Sequence, residues 1–204
     1  MGIRGNWRLG PSSSHRRGPH ARGNFVAAAA RWNCTGPGRM VVVGMRPPLP
    51  YVFHASKVAP KKFDGGSTKV IDHRQFPETS LSALIIDLEP GALREIHRHP
   101  DADELQYYIK GEARMTVFDA TANARTFNYR AGDVAYVPKT LAHYIENTGT
   151  ESMRVINVFK SPRYSDVSLN QWMALTPPDM VRGTLNLGDT AMKALRREFR
   201  PVVR

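Results

Sequence analysis

His97 and His99 stand one residue apart, and Glu104 follows five residues after His99. On a strand, side chains two apart share a face, so both imidazoles project the same way. The loop Pro100-Asp101-Ala102-Asp103 lets the next strand return the Glu104 carboxylate to that face. A second block, Gly132 to Pro138 and then His143 and Asn147, can supply a third imidazole from across a barrel. Three imidazoles and a carboxylate form a mixed nitrogen and oxygen set. Such a set suits Mn(II), Fe(II), Ni(II) or Cu(II) better than a thiolate-preferring metal. Four protein ligands around an octahedral ion leave two positions for substrate or dioxygen. The single cysteine, Cys34, excludes a multi-cysteine zinc site and an internal disulfide framework. A lone His-x-His recurs by chance. The full spacing is more specific: Gly91, five residues, His97-x-His99, four residues, Glu104, six residues, Gly111, then the second block.

The surrounding texture predicts short strands. Thr79 to Glu89 has strand character and stops at Pro90-Gly91. Leu105 to Phe118 reads as two strands split at Lys110-Gly111-Glu112, the second with period two. Arg125 to Tyr129, Val134 to Val137, His143 to Glu146 and Met153 to Phe159 read as four more. Strands this short, punctuated by Gly, Pro and Asn, predict an all-β antiparallel sandwich or barrel. The C-terminus changes period. Ser168 is placed to cap a helix over Leu169 to Leu175, and Pro178 to open a second through Met180 to Asn186. Asp189 or Thr190 is placed to start a third through Met192 to Phe199. These helices are expected to cover the barrel or a neighbouring subunit, with Trp172, Met173 and Leu175 as packing residues.

The chain has 204 residues and a formal charge of +11. Residues 1–63 hold 11 Lys or Arg and no acid, whereas residues 64–204 hold 18 of each sign. The excess charge therefore belongs to the N-terminal stretch, and nothing in the neutral remainder calls for a polyanion. Residues 1–46 are Gly, Arg, Ser and Pro-rich and read as a disordered basic tail. A targeting segment, or a true start at Met40 or Met45, fits the same residues. A nucleic-acid arm is the weaker fit, because its aromatics are only Trp7, Phe25 and Trp32. Residues 47–204 are expected to form one domain, with the helical extension from about residue 168. No apolar run is long enough to cross a membrane, and no apolar segment fits a secretory signal. The compartment stays open, with the cytoplasm as the default. His54 and His73 lie outside both blocks and read as surface or structural residues, and Tyr107, Tyr108 and Tyr144 as barrel residues, Tyr144 being near enough to a ligand to face the cavity.

The two histidine blocks resemble the paired motifs of the cupin superfamily. Several runs are similar to oxalate decarboxylases: Pro90 to Glu95, Asp103 to Ile109, Ala113 to Phe118, Ala124 to Tyr129, Ala131 to Val134, and Asp166 to Trp172. The resemblance covers about residue 47 to the end, and most resembles the second cupin of those two-cupin proteins. It implies a single cupin double-stranded β-helix (a jelly-roll barrel), a homo-oligomer, and conversion of oxalate to formate and carbon dioxide. It also implies His97, His99, Glu104 and His143 as manganese ligands, with Fe(II) or another divalent ion as an alternative and dioxygen as co-catalyst. Arg94 matches the arginine that holds the substrate carboxylate. Its odd spacing from His97 puts it on the wrong face unless the strand bulges between them.

Three departures from that family bear on mechanism. One cupin stands where the family has two. The lid segment Ser161 to Asp166 has no glutamate, leaving Asp166 as its candidate acid. Asn157 occupies the position of a family glutamate, and an amide cannot carry the proton. Two alternatives therefore stand beside the decarboxylase: an oxidase-like outcome giving hydrogen peroxide, and a non-catalytic metal- and carboxylate-binding module or bicupin fragment.

Overall fold

The computed structural model describes residues 51–204. The expectations for residues 1–46, and with them Cys34, lie outside the described residues. A 3-10 turn at Ala55–Lys57 leads into β1 (Lys61–Phe63) and β2 (Gly66–Ile71). Eight strands follow: β3 (Ser82–Leu88), β4 (Leu93–Arg98), β5 (Glu104–Lys110), β6 (Glu112–Asp119), β7 (Asn123–Arg130), β8 (Val134–Val137), β9 (Ala142–Asn147) and β10 (Met153–Phe159). The C-terminal part holds β11 (Val167–Ser168), α1 (Leu169–Leu175), α2 (Pro178–Leu185), α3 (Asp189–Ala194) and β12 (Val202–Val203). One sheet runs β1-β2-β3-β10-β5-β8 and the other β11-β4-β9-β6-β7, with β12 against β4. All pairings are antiparallel, so the expected all-β jelly-roll is the observed architecture.

Strict alternation builds the interior. On β3, Ser82, Leu84, Ile86 and Leu88 point inward; on β10, Met153, Val155, Asn157 and Phe159 do. Leu84, Ile86, Leu88, Met115, Ile145, Met153 and Val155 are all at most 2 % exposed. Each such side chain contributes about 1.5–3 kcal/mol. This apolar floor supports the polar layer at one mouth of the barrel. Gly111 turns β5 into β6 at φ 82°, and a Cβ there would fall 2.8 Å from the Met153 Cα. That combination excludes any other residue without local rearrangement.

The helices start as expected. The Ser168 hydroxyl accepts the Gln171 N–H, and Pro178 opens α2, which ends at Asn186 in the left-handed region. The third helix is a correction: it ends at Ala194, not Phe199. Side chains on α1 take the backbone groups that would continue it. The Asn170 carbonyl accepts Arg196 N–H at 2.7 Å, and the Gln171 amide donates to the Arg197 carbonyl at 2.9 Å. The chain then runs extended into β12. The strand expected over Thr79 to Glu89 begins only at Ser82, because the Thr79 hydroxyl bonds Leu81 in a local turn. β1 and β2 escaped the sequence reading, since Lys61-Lys62 and Gly65-Gly66 carry little strand signal.

Candidate metal centre

β4 and β9 are register partners at His97 and His143. Glu104 opens β5 in the opposite sheet, opposite Phe159 and Val137. His99 lies one residue beyond β4, on the loop that carries the chain from one sheet to the other. The mouth of the barrel thus gathers residues from both sheets. One ligand atom from each of His97, His99, Glu104 and His143 lies within 4.8 Å of the others, and all four residues are buried.

The outer nitrogens explain the orientation. Each Nδ1 faces a backbone carbonyl: Glu95 at 2.7 Å for His97, Ser165 at 2.8 Å for His99, and Leu141 at 3.2 Å for His143. A carbonyl only accepts, so each Nδ1 carries its proton and each neutral ring offers Nε2 as a lone pair. His143 Nε2 stands 2.8 Å and His99 Nε2 3.4 Å from the same Glu104 oxygen. Yet both nitrogens, and both Glu104 oxygens, lack a partner at hydrogen-bonding angles. One proton can relieve one of these contacts. A cation at the common point satisfies all four, so this donor set fits a divalent metal ion.

Without an ion, burial raises the Glu104 carboxyl, but positive charge on the neighbouring His143 and His99 outweighs it and holds it well below the usual carboxylate range; a bound cation would supply that positive charge to neutral rings. Burial, followed by Arg94 and the other two histidines, holds His97 well below its ordinary value of 6.5. Below pH 6.5 the unfolded chain therefore takes up a proton at this position that the native chain refuses. Stability of the metal-free protein is then expected to fall as pH drops from 6.5, by up to about 1.4 kcal/mol per pH unit from this group. Thermal melts between pH 8 and 5 measure it, and a melting temperature flat across that range would contradict it.

Among the described residues Arg94 is the largest fully buried side chain. β4 breaks register between Arg94 and His97, spending three residues where β9 spends two. That is the bulge its odd spacing requires, and it turns Arg94 inward. The Pro201 carbonyl holds the bulge from outside, accepting Glu95 N–H at 2.9 Å and Arg94 Nη1–H at 3.3 Å. Arg94 Nη2 donates to the Tyr164 hydroxyl at 3.3 Å and to Asp166 Oδ2, while the Tyr164 hydroxyl donates to the same Asp166 oxygen at 3.0 Å. Burial opposes the Arg94 charge, but Tyr164, Asp166 and Glu95 outweigh it and secure the guanidinium as a cation.

The segment 161–166 closes this mouth. Pro162 O accepts His73 N–H at 2.8 Å, Asp72 accepts Tyr164 N–H at 3.3 Å, and Ser165 reaches Asp101 with its hydroxyl. His73 is thereby structural, and His54 is exposed. Asn147 is also structural, binding Leu88 O, Glu151 O and Gly149 N–H. Tyr144 does not face the cavity: it alternates with inward His143, and its hydroxyl accepts from Thr116 on β6. Asn157 points into the barrel with its Oδ1 unpartnered. Tyr164 and β12 were missed. Tyr164 had one usable signal, an aromatic with a polar tip two residues before the lone acid of its loop.

A jelly-roll barrel with three imidazoles and one carboxylate converging at its mouth is a metal-binding barrel. The chain belongs to the cupin family, whose description matches residues 54–193. It is 43% identical over 158 residues to an oxalate decarboxylase of Bacillus subtilis, covering 77% of this chain and 41% of that protein. A probable oxalate decarboxylase of Arthroderma benhamiae is 37% identical over 157 residues, covering 75% and 39%. A solved structure concerned with the Mn(II) centres of the Bacillus subtilis oxalate decarboxylase superposes with a TM-score of 0.78 at 41% identity. That match covers 82% of this chain and 46% of the other. The chain thus spans less than half the length of these relatives.

Proposed function

We propose that this chain is a manganese-dependent, oxalate decarboxylase-like cupin, with residues 47–204 as its working domain. The observation that carries the reading is the convergence of three Nε2 lone pairs and Glu104 beside the buried guanidinium of Arg94. Manganese, or Fe(II) in its place, would supply positive charge for the oxalate oxygens and, with dioxygen, a one-electron sink. His97, His99, Glu104 and His143 would hold it. Oxalate is a small dianion, and Arg94 offers its second carboxylate a fixed fork of donors. Tyr164 donates to Asp166 beside that fork, and segment 161–166 keeps water from the reacting carbon.

The overall change is redox-neutral: the oxalate monoanion gives formate and carbon dioxide. The carbon–carbon bond breaks, its electron pair stays with the carbon that becomes formate, and that carbon takes the proton. Asn157 cannot deliver it. Asp166 is the carboxyl in the closing segment and, once released from its pair with Arg94, our candidate to hold it. A second reading is favoured by the unpartnered Asn157: a site that binds metal and a carboxylate without turnover. An oxidase outcome, in which dioxygen accepts two electrons and two protons to become peroxide, is the third.

We also propose a homo-oligomer. The outer face of the first sheet exposes Leu105, Tyr107 and Ile109 on β5 beside Val134 and Tyr136 on β8, each 47–59 % exposed. An apolar face of this kind is costly to leave in water. Among the described residues no helix is long and apolar enough to cross a membrane. One experiment tests the whole reading. Manganese-loaded protein is sized on a column against the 22.8 kDa of one chain and then given oxalate in air. A multiple of one chain, releasing formate, is expected. Peroxide without formate would replace the decarboxylase with the oxidase, and neither product from a fully loaded site would leave the binding module.

A further inference from the structure

The guanidinium of Arg94 already holds a carboxylate. Of its donors, Nη1 serves Pro201 O and Nη2 serves Asp166 and Tyr164, while Nε is buried without a partner. The side chain of Asp166 is itself only 8 % exposed, and its Oδ2 is gripped from two sides, by Arg94 and by the Tyr164 hydroxyl. Asp166 lies at the end of the closing segment, whose other ties are to Asp72, His73, Asp101 and His99. A ligand carboxylate that seeks Arg94 therefore meets an occupied partner.

We propose that Asp166 is a built-in competitor, an internal carboxylate that occupies Arg94 until a ligand carboxylate displaces it. The inference rests on the reading of Arg94 as the carboxylate anchor. The charge arithmetic supports it. A divalent ion and Arg94 against Glu104 and Glu95, whose carboxylate lies 3.9 Å from Arg94 Nη1, leave the site at +1 before Asp166 is counted. With Asp166 still on Arg94 the site is neutral, and two carboxylates would crowd one guanidinium edge in a medium that screens poorly. Ligand and Asp166 thus exclude one another. The observed affinity is the intrinsic one divided by the strength of the internal pair. The pair also confers selectivity. A weak monocarboxylate that binds through Arg94 alone gains little over Asp166, whereas a dicarboxylate reaching both metal and Arg94 gains enough to displace it.

The test is equilibrium binding of oxalate, by calorimetry without dioxygen, to manganese-loaded wild type and D166N. Tighter binding by about tenfold or more is expected for D166N, because charge-assisted bonds to a guanidinium are roughly twice as strong as neutral ones. Loss of a merely structural residue predicts the opposite, weaker binding. D166N leaves a buried arginine without its counter-ion, so its melt is recorded alongside. If it does not fold, Tyr164→Phe loosens the same pair without removing a charge, and a tightening of a fewfold is expected. Unchanged or weaker oxalate binding in a folded, loaded variant overturns the competitor. The anchor fails separately: if R94K in the D166N background binds oxalate as tightly as D166N alone, Arg94 is not the anchor. If no variant binds oxalate with manganese in place, both readings fall.

Discussion

Glu104→Gln is expected to weaken manganese binding by roughly a hundredfold or more, and to abolish the thermal stabilisation that the ion gives. Loss of a group that merely supports a metal ligand costs about 10–100-fold in affinity, so loss of the one anionic ligand starts at the top of that range. Glutamine keeps the shape and removes the charge. In the metal-free protein that removal also loses the contacts with His143 and His99 that hold the carboxyl low, so the variant is compared with and without manganese. Wild type should melt higher as manganese is added, with about 2.7 kcal/mol of added stability at a hundredfold excess over its Kd. The variant should melt at or below the metal-free wild type and ignore manganese at the same concentration. An equal manganese-induced shift in both proteins would show that the ion binds elsewhere, and the proposed ligand set would be abandoned.

The residues of that cluster were legible because their geometry is local. His97 and His99 share a face by strand period alone, and Glu104 needed only a loop of four residues to reach it. Even the bulge at Arg94 was legible as a contradiction, since its odd spacing from His97 could not be reconciled with a regular strand. What could not be read was whatever long-range pairing creates. Pro201 sits 107 residues from Arg94, yet its carbonyl fixes both the bulge and the guanidinium. Two valines in Pro201-Val202-Val203 are too short a run to mark a strand, and the helical pattern through Phe199 argued for continuation. That pattern lost to two side chains on α1, Asn170 and Gln171, which take up the backbone groups of Arg196 and Arg197. Tyr164 was hidden for the same reason. Its role exists only once Asp72 holds its backbone and Arg94 arrives from another sheet. Edge strand β1 and its neighbour β2 were lost to composition, because their lysines and glycines pair through the backbone and display no alternating apolar face.

Arg94→Lys is expected to lower kcat/KM for oxalate by about a hundredfold while manganese affinity stays within a fewfold of wild type. A hydrogen bond to a charged group is worth about 1.5–3 kcal/mol, and tenfold in rate corresponds to about 1.36 kcal/mol, which sets that scale. Lysine keeps the charge, so the variant isolates geometry. Arginine reaches Pro201 O with Nη1 and both Tyr164 and Asp166 with Nη2 from one rigid plane. A single ammonium cannot hold all three and still present a fork to a carboxylate. Alanine is the wrong choice, because it would strand Asp166 in a nearly closed site without its counter-ion, a loss of about 3–5 kcal/mol that confounds activity with folding. The metal cluster should be indifferent to the exchange, since no hydrogen bond joins Arg94 to any of the four ligand side chains. Steady-state kinetics beside metal analysis separates the outcomes. A drop in turnover with the metal retained is the signature of a carboxylate anchor. A proportional loss of metal would instead mean that Arg94 serves the bulge beneath His97, and that the carboxylate is held by something else.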